Sequence, residues 1–110
     1  MNSEVKRILE ENIEDYPIAH LEYKGTSNKY ITWSELYEKP TIIADDKPIY
    51  SEIPYDIDVY STESIADVVE QIISVMTEND WIWVETSQLL YDTETAMYHK
   101  IITFTKERMV

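Results

Sequence analysis

The sequence predicts an α+β domain, with a mostly antiparallel sheet of about five strands and two helices packed on one face of it. Two segments repeat apolar residues at the three- and four-residue spacing of a helix face, and other segments alternate apolar with polar residues as strands do. The predicted strands outnumber the helices that could connect parallel neighbours, so antiparallel pairing is expected. The 110 residues suit a single domain, 1–110, and 44% of them are apolar, enough for one core.

The first predicted helix covers residues 3–15. Its apolar face carries Val5, Ile8, Leu9 and Ile13. Asn2 or Ser3 can cap the start, and Glu4 suits the positive end of the helix dipole. Pro17 ends the segment, because the residue before a proline is pushed out of the α region.

Residues 18–24 and 30–37 are predicted as two strands that could pair as a hairpin across a glycine-containing turn. The second is rich in β-branched and aromatic residues, which favour strands. Residues 38–48 are predicted as a loop, because prolines bound the stretch and it contains the adjacent acids Asp45 and Asp46.

Residues 53–60 alternate cleanly and predict a strand with one buried face. The residues expected to face the core are Tyr55, Ile57 and Val59. The residues expected to face outward are Asp56, Asp58 and Tyr60. This outer face is expected to be solvated, because antiparallel sheets commonly keep one face in water.

The clearest helix is predicted over residues 62–79. Its apolar stripe consists of Ile65, Val68, Val69, Ile72, Ile73 and Met76. Ser61 or Thr62 is expected to cap it, and Asn79 followed by Asp80 suits its exit.

Two further strands are predicted over residues 81–86 and 97–105, because both segments alternate along their length. The stretch 92–95 between them is a plausible turn. The two strands therefore predict a closing antiparallel hairpin with a long tip.

The charge of the chain excludes several classes of partner. It has 22 acidic and 9 basic residues, a net charge of −13. Nucleic acids and anionic membranes both favour a basic surface, so a partner is expected to be basic or to be met through apolar surface. No segment is long and apolar enough to span a membrane, and the N-terminus lacks the pattern of a signal peptide. Without cysteine and with one glycine, neither a thiolate metal site nor a phosphate-binding glycine loop is expected.

No catalytic, cofactor-binding or metal-binding residue is predicted, and the chain is not expected to be an enzyme. His20 and His99 lie in no recognisable nucleophile motif, so structural or surface roles are favoured. Asp56 and Asp58 could hold a divalent cation or divide acid and base roles, because they share one strand face. No third ligand is in register with them, which favours a solvated pair.

Aromatic residues are abundant, with nine tyrosines, three tryptophans and one phenylalanine. The main candidates for burial are Trp33, Trp81, Trp83, Tyr98 and Phe104. They cannot all fit beside two apolar helix faces, so part of the aromatic surface is expected to be exposed, where Tyr and Trp serve as interface anchors. A core that is simply rich in aromatics is the alternative.

Three stretches resemble small tail-completion, tail-terminator and head–tail joining proteins of long-tailed bacteriophages and prophages. They are residues 30–33 (YITW), 55–61 (YDIDVYS, which leads into a helix) and 90–100 (LYDTETAMYHK). The likeness covers residues 29–105. It departs from the family at 80–83, where a Gly-Phe entry into the strand is expected.

The resemblance implies a structural protein of the virion, made in the host cytoplasm, with no catalytic residues. It also implies a homo-oligomeric ring, commonly a hexamer, that contacts other tail and head-connector proteins and lets DNA pass without binding it specifically. An acidic lumen suits such a ring because it repels DNA. Asp56 and Asp58, or the loop with Asp45 and Asp46, are expected to line it.

A second class of function remains open on charge alone. An acidic inhibitor or DNA mimic could block a basic enzyme, and electrostatic steering would make its binding fast. A small hydrolase or metal enzyme is a third class, for which the sequence supplies no expected arrangement of residues.

Overall fold

A computed structural model of the chain describes residues 3–35, 50–52 and 54–109. In this part the helices are α1 (Ser3–Asn12) and α2 (Ala66–Glu78). The strands are β1 (Ile18–His20), β2 (Lys29–Glu35), β3 (Tyr50–Glu52), β4 (Tyr55–Ser61), β5 (Ile82–Thr86), β6 (Leu90–Asp92), β7 (Met97–Thr105) and β8 (Glu107–Met109). The predicted α+β class is confirmed. The predicted loop at 38–48 lies outside the described residues. No helix within the described ranges could cross a membrane.

The main sheet has six strands in the order β1-β2-β4-β7-β5, and β6 also pairs with β7, so that β5 and β6 share one sheet edge. Every pairing is antiparallel except that of β1 with β2. A separate two-stranded sheet joins β3 to β8. The alternation pattern predicted neither these two strands nor β6, because each has only three residues, too few to show a period of two.

Strand β4 lies at the centre of the sheet, between β2 and β7, and its predicted alternation is confirmed. Tyr55, Ile57 and Val59 are each at most 3% exposed and face the helices. The core around them consists of Val5, Ile8, Leu9, Ile13, Ile31, Trp33, Ile65, Val68, Val69, Ile72, Met76, Trp81, Ile102 and Phe104. Both helices therefore bury their apolar stripes on one face of the sheet.

The prediction that the first two strands pair as a hairpin is wrong. β1 is confined to residues 18–20 and runs parallel to β2, with Ile18 opposite Ile31. The chain leaves β1 at Leu21, whose left-handed φ of 71° ends the extended conformation. A ladder of three residues is short enough for the stretch 21–28 to return the chain to the start of β2.

Helix α1 ends at Asn12 rather than at residue 15. Asp15 has a φ of 69°, which a right-handed helix cannot include. The Asn12 side chain donates to Ile8 O at 2.8 Å and so satisfies one carbonyl of the last turn. The caps predicted from Asn2 and Ser3 fall outside the described side chains.

Helix α2 begins later than predicted, and its cap is neither Ser61 nor Thr62. Ile65 occupies the N-cap position, although an isoleucine side chain cannot accept a hydrogen bond. Ser61 Oγ instead accepts the N–H of Glu63 at 3.0 Å. Ser61 is thus used in a hydroxyl turn that leads out of β4, which displaces the helix start by one turn.

Helix α2 ends at Glu78 in a Schellman motif, and the predicted exit at Asn79 and Asp80 is confirmed. Trp81 N–H donates to Met76 O at 3.1 Å. Asp80 N–H donates to Thr77 O at 3.2 Å. Asp80 takes the left-handed φ of 71° that this turn needs and that glycine adopts without strain. The departure from the expected glycine therefore leaves the helix exit intact.

Two side-chain contacts hold α1 against the rest of the chain. Lys106 Nζ donates to both carboxylate oxygens of Glu4, at 3.0 and 2.9 Å. The same ammonium lies 5.1 Å from the centre of the Trp81 ring. Gln71 Nε2 donates to Asn12 O at 2.8 Å, which joins the end of α1 to α2.

The left-handed residue after α2 gives a direct test of this geometry. Asp80→Gly should raise the free energy of unfolding by about 0.5–1 kcal/mol, because glycine removes the steric cost of the positive φ. Urea unfolding followed by circular dichroism measures the change. As a control, Ser74→Gly on the exposed side of the helix interior should lower stability by about 0.5 kcal/mol. A loss of stability in Asp80→Gly would contradict the assignment.

Candidate docking surface

The two histidines, which the sequence places in structural or surface roles, each pair with a carboxylate. His20 Nε2 lies 2.8 Å from Glu35 Oε1, and its ring stacks on Trp33 with centroids 4.2 Å apart. The hydrogen bond from His20 is the main cause that lowers the pKa of Glu35. His20 therefore fastens the edge strand β1 to β2.

His99 Nε2 lies 3.3 Å from Asp58 Oδ2, with both side chains about one-fifth exposed (20% and 23%). The two residues are 41 positions apart, so only the pairing of β4 with β7 brings them together. In the described part of the chain neither histidine bonds a Ser or Thr hydroxyl. Nor do those residues contain a group of three His, Asp or Glu side chains that could hold a metal ion.

Asp56 lies on the same outer face but is not solvated as expected. Its Oδ1 accepts a hydrogen bond from Thr103 Oγ1 at 2.7 Å. Burial raises the pKa of Asp56, against the lowering effect of that hydrogen bond. The face is only partly exposed to solvent, less than expected, because β4 is the central strand and side chains from both neighbouring strands flank its carboxylates.

A stack of four rings crosses this outer face from β2 to β7. The centroid distances are 4.5 Å for Tyr23–Tyr30, 4.6 Å for Tyr30–Tyr60 and 4.1 Å for Tyr60–His99. Burial, with the charge of Asp58 adding to it, raises the pKa of Tyr60 to about 12. The stack covers the middle of the face, and the Tyr60 phenol stays un-ionised at neutral pH.

Gly25 is the only glycine of the chain, and the first ring of the stack needs it. The Tyr23 ring lies so close over Gly25 that a Cβ there would overlap it. The Tyr23 hydroxyl also accepts the N–H of Ser27 at 3.1 Å. A side chain at position 25 would therefore move Tyr23 off Tyr30.

The edge formed by β5 and β6 exposes two groups of apolar residues, 82–84 and 89–91, in a segment that we call the edge ribbon (residues 82–92). Its exposed apolar residues, each 37–53% accessible, are Ile82, Trp83, Val84, Leu89, Leu90 and Tyr91. The ribbon contains the acids Glu85 and Asp92 but no lysine or proline, the residues that usually protect an edge strand. A shift of register between Trp83 and Glu85 interrupts its pairing with β7.

The expectation that some aromatic surface stays exposed is confirmed. Trp33, Trp81 and Phe104 are buried, at 6%, 3% and 0% exposure. Trp83 and Tyr91 remain about half exposed, at 49% and 53%. Both lie in the edge ribbon, so the exposed aromatic side chains among the described residues are concentrated on one edge.

A cleft of about 320 Å³ opens beside the edge ribbon, between the start of α2 and strand β7. It is lined by Ser64, Ile65, Ala66, Leu89, Tyr98 and Lys100. Most of this lining is apolar. The Lys100 ammonium forms no ion pair with any carboxylate in the described ranges.

Comparison with known proteins gives a match at the level of fold. No protein-family model matches the chain, and no curated protein matches it. A chain from the solved virion of a native gene transfer agent (GTA) particle superposes with a TM-score of 0.56. The two are 8% identical, and the match covers 99% of this chain and 87% of that one. This protein therefore shares its fold with a chain of a virion.

The raised pKa of Asp56 gives a pH-dependent prediction. Its ionised form is disfavoured in the folded protein, so stability falls as the pH rises through the range in which Asp56 ionises. Asp56→Asn keeps the acceptor for Thr103 and should unfold at a higher urea concentration than the natural chain at pH 7. The difference should shrink at acid pH, where both states hold the proton.

The matched change removes the donor instead. Thr103→Val should cost about 1–2 kcal/mol at pH 7, since it leaves a half-buried carboxylate without its partner. Urea unfolding between pH 3 and 8 measures both variants. An Asp56→Asn protein less stable than the natural chain at pH 7 would overturn the assignment.

Proposed function

We propose that this chain is a structural protein of a phage or prophage virion, which completes the tail and joins it to the head. Its fold, shared with a chain of a gene transfer agent virion, supports this proposal. In this proposal the chain acts by docking onto neighbours rather than by catalysis. The chain is made in the host cytoplasm and then enters the virion. In the virion it forms a ring, and a hexamer is the expected size.

The edge ribbon is the observation that carries the proposal. An isolated protein gains nothing from six exposed apolar side chains on one sheet edge, whereas an assembly protein buries them at an interface. Trp83 and Tyr91 belong to the residue types that dominate binding energy in interfaces. Their burial would contribute about 25 cal/mol per Å² of apolar surface removed from water.

The outer face of the sheet suits the lumen of such a ring. Asp56 and Asp58 lie on it, and Glu85 joins them from β5, opposite Thr103. With a net charge of −13, a ring of such chains would repel the phosphates of passing DNA and keep the duplex from sticking. We propose that this face points inward and that tail and head-connector proteins contact the edges and ends.

The strong acidity also favours a second candidate, an acidic inhibitor that covers a basic enzyme. The two candidates differ in their response to salt. An inhibitor held by charge would lose affinity steeply between roughly 50 and 500 mM salt, because the Debye length shortens and the attraction between the two charged surfaces is screened. Docking through the edge ribbon is apolar and should persist over that range.

The edge ribbon provides the test of the proposed function. Val84→Lys places a charge on the exposed ribbon and should change the free energy of unfolding by less than about 0.5 kcal/mol, as exposed substitutions usually do. In particles made with this variant, we expect the yield of joined, infectious virions to fall at least about tenfold, since an interface centre tolerates an unpaired charge poorly. Titre and electron micrographs measure it.

Glu70→Lys serves as the control, because it adds a lysine at an exposed position of α2 that is not part of the ribbon. It should leave the titre unchanged. Particles that lack the chain should show tails of abnormal length or tails separated from full heads. Fully joined, infectious particles without the chain would refute the proposed function.

A further inference from the structure

Leu21 is an exposed leucine at the opposite edge of the sheet from the edge ribbon. Its exposure is 65%, and among the described residues it is the only large exposed hydrophobic that lies outside the ribbon. It follows β1, the strand that forms the other end of the sheet. Among the described residues, the large exposed apolar side chains thus lie at the two sheet edges.

The backbone holds Leu21 in a fixed and costly conformation. Its φ of 71° lies in the left-handed region, which residues other than glycine rarely adopt. Its N–H donates to Trp33 O at 2.9 Å, and the N–H of Glu22 donates to His20 O at 2.7 Å. The turn therefore presents an apolar side chain rigidly to solvent, and such strain points to a function.

The cleft beside the edge ribbon combines an apolar wall with one ammonium group. Ile65, Ala66, Leu89 and Tyr98 give it an apolar wall, and its volume of about 320 Å³ can hold an aliphatic side chain. Lys100 adds an ammonium that has no carboxylate partner among the described residues, in a chain with 22 acidic residues. An apolar side chain next to a carboxylate would satisfy both features.

The chain itself carries this combination at Leu21 and Glu22. The Glu22 carboxylate is 68% exposed, and its contact with Lys24 is long, at 4.0 Å between two exposed groups. Such a pair contributes little and leaves the carboxylate available to another cation. The charge of Glu22 complements that of Lys100.

We propose that Leu21 of one copy inserts into the cleft of the next copy and that its Glu22 carboxylate pairs with Lys100 there. The donor and the acceptor patches lie at opposite edges of the sheet, so the contact is heterologous and repeats head to tail. Repetition of such a contact gives a ring when its rotation closes. This contact deepens the proposed function. It rests on that function only for the location of the ring in a virion.

Disulfide trapping tests the contact directly, because the natural chain has no cysteine. Leu21→Cys and Ala66→Cys are made in separate chains and mixed, so that a cross-link can form only between copies. We expect at least about tenfold more dimer from this pair than from Leu21→Cys mixed with Glu70→Cys, as a specific contact demands. Glu70 is the matched control, one turn further along the exposed side of α2.

Charge reversal tests the ion pair independently. Glu22→Lys and Lys100→Glu should each weaken self-association about tenfold or more, and their combination should restore most of it. Sedimentation equilibrium measures the association. Glu70→Lys changes the net charge as much as Glu22→Lys does, so an equal effect of the two would overturn the pairing.

Leu21→Gly guards against loss of folding as an explanation. It removes the apolar side chain and also relieves the positive φ, so it should raise thermal stability while it weakens association. A variant that is more stable yet associates less supports the contact. A variant that associates as well as the natural chain overturns it.

The same cross-link, sought in assembled particles, separates this inference from the proposed function. If particles contain the cysteine variants but no link forms, there or at about millimolar free protein, the contact is wrong and the proposed function stands. If the link forms in solution but the chain is absent from particles, the contact stands and the proposed function fails. A link in particles supports both.

Discussion

The structure depends on the two-sided alternation of its central strand. β4 is hydrogen-bonded on both edges, so every second side chain must enter the core and the others must face outward. Tyr55, Ile57 and Val59 take the inner positions, where the apolar stripes of both helices cover them. A slip of one residue would exchange this set for Asp56, Asp58 and Tyr60, and carboxylates would enter the core. That penalty fixes the register of β4 against β2 and β7.

The outer face shows how an acidic chain accommodates carboxylates near the middle of a sheet. Asp58 is paired with His99, and Asp56 takes the hydroxyl of Thr103. The ring stack beside them adds apolar contacts, and burial in this stack raises the pKa of Tyr60. Each of these two carboxylates therefore has a partner on the next strand.

The two edges of the main sheet expose apolar side chains in the described part of the chain. β1 is only three residues long, and β5 is interrupted by a register shift, two features that discourage indiscriminate pairing of sheets. Both edges nevertheless expose apolar side chains, Leu21 on one and the edge ribbon on the other. The described core uses neither of them. The proposed docking between copies and onto other proteins would bury both.

The sequence by itself determined the fold class, the buried faces of β4 and α2, the bounds of β7 and the exit from α2. Each follows from a local rule, the period of two for strands, the period of 3.6 for helices and the turn chemistry at a helix end. Tertiary structure alone decided the parallel pairing of β1, the partnership of Asp58 with His99, and the position of the exposed apolar side chains of the described residues at two sheet edges. These depend on which strands become neighbours, and strand neighbours are chosen by the packing of the whole core rather than by any local pattern.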